Sequence, residues 1–294
     1  MSSRLPAAGR LKPIVWILWP LLAAMYLLVS DGSAESLSSE RGEYIFRASG
    51  GCSCHNDTEA GGAFMAGGRP VSTPFGAVYA TNITPDYETG IGGWSDADFL
   101  LAMTQGVGPE GQHYLPAFPY TSFTRMAESD LLDLKAYLFS LPAVRSVAPP
   151  QGIPAPFRWR FSLLAWKALH FRSGPFQPEP DSSQAWNRGA YLVTAVAHCG
   201  ECHTPRGRLG GLRSDRTHGG TSADSVPNIT PDTENGIGAW STPDLVWYMQ
   251  HGLGPDGDSA QGVMQELIDS GYRYLTDEDL KAIDHYLRSL PAIR

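Results

Sequence analysis

The chain has 294 residues, a formal charge of −8, 32 glycines and 23 prolines. That length accommodates two domains of ordinary size, and the acidic balance argues against nucleic acid as a partner. Nearly a fifth of the residues are glycine or proline, which predicts much irregular backbone and small domains that need more than side chains to fill their cores.

Arg4, Arg10 and Lys12 precede an apolar run from Ile14 to Val29, broken only by Pro20, and the polar Asp31-Gly32-Ser33-Ala34 follows. The pattern is an export signal or an uncleaved single-span anchor with its positive end inside, assigned to residues 1–36. The run is longer than a usual signal core and slightly short of a comfortable span, so both readings stay open. Either way the remainder, at −11 once those three basic residues are set aside, is exported.

A first unit spans 37–147. A helix from about residue 39 runs into Gly51-Cys52-Ser53-Cys54-His55. Loops carrying Asn82-Ile83-Thr84-Pro85-Asp86 and Gly90-Ile91-Gly92-Gly93-Trp94 lead to a short helix near Ser95, with Asp98 at its third position. The closing helix, Asp130 to Ser140, has Leu131, Leu134, Tyr137 and Leu138 at helical spacing. Residues 148–184 form a Pro-rich linker in which Trp159, Leu163, Trp166 and Phe171 alternate with Arg158, Arg160, Lys167 and Arg172. It reads as a helix lying on a membrane surface, or as a strap packing one unit onto the other.

Residues 185–294 repeat the first unit. Arg41-Gly42-Glu43-Tyr44 returns as Arg188-Gly189-Ala190-Tyr191, and Cys52 falls on Cys199, both 147 residues on. Asn-Ile-Thr-Pro-Asp returns at Asn228 to Asp232 and Gly-Ile-Gly-x-Trp at Gly236 to Trp240, 146 residues on. Both units close with Ser-Leu-Pro-Ala, from Ser140 and from Ser289. The last helix starts at Thr276 with Asp279 three residues later, a capping-box arrangement, and carries Leu280, Ile283, Tyr286 and Leu287 on one face. One domain is duplicated, and helices crossing around a buried prosthetic group make an all-α architecture.

Cys199-Gly200-Glu201-Cys202-His203 points to that group. Cys-x-x-Cys-His is the attachment site of a c-type haem: two thiols reach one edge of the porphyrin while the next imidazole turns under the ring to the iron. A thioredoxin-like redox pair would not require His203, and a zinc knuckle needs a second Cys/His pair that no downstream stretch supplies. In the first unit a single residue separates Cys52 from Cys54, so one residue is missing from the attachment loop and the two side chains diverge on a helical turn. Gly50 and Gly51 give the backbone room to compensate. Two thioethers on a distorted turn, one through Cys54 alone, or no covalent haem are the possible outcomes. A bound haem with His55 as proximal ligand is the reading taken, because the unit keeps every other pocket feature.

From about residue 37 onward the chain resembles the two-haem, membrane-associated class I cytochromes c that serve periplasmic alcohol and aldehyde dehydrogenases. The carriers are Cys199 to His203, the doubled Asn-Ile-Thr-Pro-Asp with Gly-Ile-Gly-x-Trp, and His113-Tyr114-Leu115-Pro116-Ala117-Phe118-Pro119-Tyr120. The resemblance implies two c-type haems, with His203 as proximal ligand of the second and Met264 as its distal ligand. Met264 aligns with Phe118 in a Pro-Ala-x-Pro loop that commonly supplies the methionine. Met249, paired with Met103, reads as core. With Phe118 in place of methionine, Met126 is the distal candidate for the first haem, ahead of Met65 and His113. Trp94, Trp240 and Arg69 are candidate donors to haem propionates, the tryptophans equally plain core. His170, His198, His218, His251 and His285 are read as structural.

The function implied is electron transfer rather than catalysis. A periplasmic dehydrogenase donates and an oxidase or small soluble cytochrome accepts, on the periplasmic side of a bacterial inner membrane that the N-terminal segment reaches. A His/Met pair, which raises the potential, suits that direction. The rival is a two-haem peroxidase-like enzyme, if Phe118 leaves the first iron open; a haem-based sensor ranks last for want of an output domain.

Overall fold

The computed structural model describes residues 38–73, 75–221 and 226–294. The apolar run Ile14 to Val29 lies outside the described residues; among them no helix is long and apolar enough to cross a membrane. Helices α1 (38–48), α2 (Asp96–Gln105), α3 (Tyr120–Phe123) and α4 (Glu128–Ser140) make the first half, and α5 (Arg160–His170) lies in the linker. The second half has α6 (Gln184–Tyr191), α7 (Gly200–His203), α8 (Thr242–His251), α9 (Gly262–Ser270) and α10 (Asp277–Ser289).

The fold is mostly helical but not wholly so. Strands β1 (Pro70–Thr73) and β2 (Gly76–Tyr79) pair antiparallel, Val71 opposite Val78, with Gly76 at φ +125° in the turn. Val71, Thr73 and Val78, with Gly76 opposite Thr73, carry this local signal. The Pro-Ala-x-Pro loop of the first half has no loop counterpart in the second, where α9 carries Met264. Met264, Leu267 and Ile268 stand on one helical face, with Ile268 fully buried.

In each half the first and last helices cross at a glycine. A methyl group on Gly42 would stand 1.8 Å from the Asp133 carbonyl oxygen, and one on Gly189 only 1.9 Å from that of Ala282. Backbones meet at these two points, so any larger residue forces them apart. Phe46, Leu131, Leu192, Leu280 and Ile283 fill the space beside the crossings and are fully buried.

Asn82 and Asn228 explain why their segments recur. Each side-chain oxygen accepts from the backbone N–H and hydroxyl of the threonine two residues on, while each amide donates to the chain leaving the last helix, at Val144 and at Ile293. Gly90 and Gly236 are obligatory, because a methyl there would lie 2.2 Å from the Thr84 or Thr230 carbonyl oxygen.

The halves exchange tyrosines. Tyr44 donates to Asp279 at the start of α10 and its oxygen accepts from the Thr276 N–H. Tyr191 donates to Asp130 at the start of α4 and accepts from the Ala127 N–H. Ser95 with Asp98 and Ser241 with Asp244 form complete capping boxes. Thr276 caps α10 on one side only, because Asp279 is turned away to Arg188 and Tyr44. Burial alone would raise the Asp279 carboxyl, but those hydrogen bonds outweigh it and hold it below the usual carboxylate range.

The linker helix does act as a strap. Lys167 Nζ donates to the carbonyls of Gln105 and Gly106 in the first half, and the Trp166 indole donates to the Leu209 carbonyl in the second.

Candidate haem-attachment sites

The two histidines after the cysteines are held alike. His55 Nδ1 lies 2.7 Å from the Thr81 carbonyl oxygen and His203 Nδ1 2.8 Å from that of Pro227. A carbonyl only accepts, so each Nδ1 carries the proton and each Nε2 keeps a free lone pair. Burial lowers both pKa values, against the smaller opposite pull of that hydrogen bond, so both rings are neutral at neutral pH. A neutral imidazole with its far nitrogen tied to the backbone is the form that ligates a metal. Thr81 and Pro227 each directly precede the clamped asparagine, so the repeated loop is what presents this carbonyl.

Return segments secure the same turns. The His55 and His203 carbonyls accept from Gly67 and Gly220, and those of Met65 and His218 from Ile83 and Ile229. Met65 and His218 are both buried in left-handed backbone, φ +58° and +63°. Met65 is therefore fixed to the strand of chain that passes its histidine. His218 reads from its sequence context as an ordinary structural histidine, yet neither ring nitrogen has a partner among the described residues. Burial, then the neighbouring His203, lowers its pKa to about 4. No sequence spacing marks it; its correspondence with Met65 emerges only from the hydrogen bonds.

The two attachment turns are approached differently, and the residue missing from the first is absorbed within the turn itself. In the second half the helix after α6 widens into a π-turn over Leu192–Val196, with Ala197 N–H bonded to the Leu192 carbonyl, whereas Ser49 keeps the ordinary α-helical bond to Ile45. The first half then takes Gly50, Gly51 and Cys52 in succession through left-handed backbone, φ +76°, +66° and +46°, into a 3₁₀ turn at Ser53–His55. The second half needs one left-handed residue, His198, before the α-turn α7. The tighter 3₁₀ turn spends one residue fewer, and His55 N–H still reaches the Cys52 carbonyl at 2.8 Å, as His203 N–H reaches that of Cys199 at 3.0 Å.

Cys54 and Cys202 line one cavity of about 1970 Å³, while Cys52 and Cys199 lie deeper against the core. Burial pushes the Cys52 thiol up to about 11 and Cys199 to about 12, and raises Cys54 as well. Among the described residues no three His, Cys, Asp or Glu side chains gather as the donor cluster a structural zinc needs. In each half two thiols precede an imidazole with a free Nε2, and the half-open, mainly apolar space that Cys54 and Cys202 border suits a flat apolar group; this donor set fits a thioether-bound haem in each half.

Each attachment turn is covered by the other half. Thr121 and Ser122 around α3 donate to Glu201, inside the second attachment segment, and Arg206 pairs with its other oxygen at 2.5 Å. Reciprocally, α9 approaches the first turn: methyl groups on Gly50 and Gly51 would meet Leu267 and Ser270. Arg69, a propionate donor by the sequence reading, instead grips Glu266 of α9 through both of its terminal nitrogens. Tyr272, fully buried, is raised far above its usual range by burial first and then by Cys199, Cys202 and Cys54. Its hydroxyl donates to the Ala197 carbonyl beside the second attachment segment, and Gly271 before it packs against Gly50 beside the first.

Met264 is half-buried in the first turn of α9, and Met126 is buried in the core after α3. Met126 corresponds to Leu275, each N–H bonding three residues back. Met103 and Met249 are core residues of α2 and α8. His113 is engaged elsewhere, its Nδ1 2.9 Å from Lys167 Nζ. Trp94 and Trp240 pack against the core, Trp240 edge-on to Tyr248.

The family model described as "Cytochrome c" matches residues 187–291. A protein named "Diheme cytochrome c-type" from Cereibacter sphaeroides is 41% identical over 263 residues, covering 87% of this chain and 86% of that protein. A nicotinate dehydrogenase subunit from Pseudomonas putida is 40% identical over 264 residues, 88% of this chain but 22% of that protein. The cytochrome subunit of a fructose dehydrogenase from Gluconobacter japonicus is 38% identical over 267 residues, 90% of this chain and 54% of that protein. The chain thus spans about a fifth and about half the length of those last two relatives. With paired imidazoles over paired thiols and a diheme relative matched along most of both sequences, the chain belongs to the cytochrome c family, among its two-haem members, and its cofactors are two c-type haems.

Proposed function

We propose that the chain is an electron carrier built from two tandem class I cytochrome c domains, 37–147 and 185–294, joined by the linker 148–184. His55 and His203 are its proximal ligands, Met126 and Met264 its distal ones, with tethering through Cys54 and, where the turn permits, Cys52 in the first domain and through Cys199 and Cys202 in the second. The observation that carries this reading is the matched pair of neutral imidazoles, each donating Nδ1–H to the carbonyl before a clamped asparagine. Bound haem supplies a one-electron iron couple. The protein holds each histidine in one tautomer, keeps water from the buried side of each site, and brings both attachment segments against the chain at Gly271 and Tyr272 so that a short transfer joins them.

A dehydrogenase as donor is supported by the relative named as a fructose dehydrogenase cytochrome subunit. An oxidase or small cytochrome removes the electron on the periplasmic side of the membrane, which the run Ile14 to Val29 reaches as signal or anchor. The peroxidase-like alternative requires an open iron in the first domain. The as-isolated holoprotein is expected to be low-spin at both haems by electron paramagnetic resonance, with no carbon monoxide adduct on reduction. A high-spin haem that binds carbon monoxide would replace the carrier with the enzyme.

A further inference from the structure

We propose that the outward face of α5, with the segment leading into it, docks on an anionic lipid surface. The strap accounts for only one side of this helix. Leu163 is buried, and Trp166 and Lys167 bond to the two halves. The other side is apolar too: Phe161, Leu164, Ala165 and Ala168 follow one another at helical spacing and are all exposed or half-exposed, Phe161 at 65% and Leu164 at 45%. Trp159, 48% exposed, packs its ring at a tilt 5.5 Å from that of Phe161 just before the first turn. A helix that serves only as a strap has no use for an outward stripe of this kind.

Charge selects the occupant. The chain as a whole is acidic at −8, yet no Asp or Glu occurs between Asp133 and Glu179, a stretch with six basic residues, Lys135, Arg145, Arg158, Arg160, Lys167 and Arg172. Arg158, Arg160 and Arg172 form no ion pair among the described residues. Two of them precede the stripe and one follows it. Aromatic and leucine side chains on one line, with arginines at both ends whose stems reach up to the headgroups, form the pattern of a helix lying in the plane of a membrane interface. Each unpaired basic group near an anionic surface strengthens binding about fivefold. A chain already held at the membrane by its N-terminal run would need little further affinity, because the second contact is intramolecular.

The test uses the full-length holoprotein in lipid nanodiscs, of phosphatidylcholine alone or rich in phosphatidylglycerol, with amide hydrogen exchange read by mass spectrometry. Exchange across 157–172 is expected to slow at least about fivefold in the anionic discs relative to the neutral ones. Phe161→Asp with Leu164→Asp, or separately Arg158→Glu with Arg160→Glu, should abolish that difference while the haem absorption spectrum stays unchanged. Should either variant lose its haem, the comparison of the two discs with the unaltered protein still decides. Equal exchange in both discs overturns the proposal. So does protection of 157–172 that arises only on adding a dehydrogenase, which would assign the face to a protein partner.

Discussion

Gly189→Ala is expected to lower the stability of the holoprotein by at least about 2 kcal/mol, a fall in Tm on the order of 5–10 °C. In an isolated helix the change would help, since alanine is favoured over glycine by about 1 kcal/mol. Here the added methyl would sit 1.9 Å from the Ala282 carbonyl oxygen, well inside contact distance, and the helices must separate. Overpacking of this kind costs about 1–3 kcal/mol, and more when backbone has to move, so the steric effect wins. The same holds for Gly42 against Asp133. Gly207→Ala is the control: its nearest neighbour would be 3.7 Å away, and thermal denaturation should barely register the change. Equal Tm values for Gly189→Ala and Gly207→Ala would show that the crossing is not tight.

The second large effect concerns the potential. On the proposed ligand set, Met264→Ala removes the thioether from the second iron, and its midpoint should fall by on the order of 0.2 V, a fraction of the roughly 0.8 V over which axial ligands tune haem. Met249→Leu, a change in the core of α8, should leave both midpoints in place. Spectroelectrochemical titration separates these outcomes. A shift for Met249→Leu with none for Met264→Ala would reverse the assignment.

Much of this architecture was legible because it is periodic or repeated. The leucines of α4 and α10, the serine caps of α2 and α8, and the doubled Asn-Ile-Thr-Pro-Asp each state a local rule that the fold obeys. What escaped depends on contacts between distant residues. Asp279 looked like a capping residue, but a guanidinium and a phenol brought from α6 and α1 compete for it and win. The shortened Cys52-Ser53-Cys54 spacing looked like a defect confined to three residues. It is taken up by a 3₁₀ turn in place of an α-turn, entered through three left-handed residues that no composition marks. Helix α9 did carry a signal, the spacing of Met264, Leu267 and Ile268, but alignment with a proline-rich loop concealed it.

The central claim is that each half tethers its own haem. Intact mass spectrometry of the denatured holoprotein, followed by proteolysis and peptide mapping, tests it most directly. The expected result is a chain heavier by two haems, one on the peptide containing Cys54 and one on the peptide containing Cys199 and Cys202. A single haem, or a chain whose cysteines are all unmodified, would contradict it.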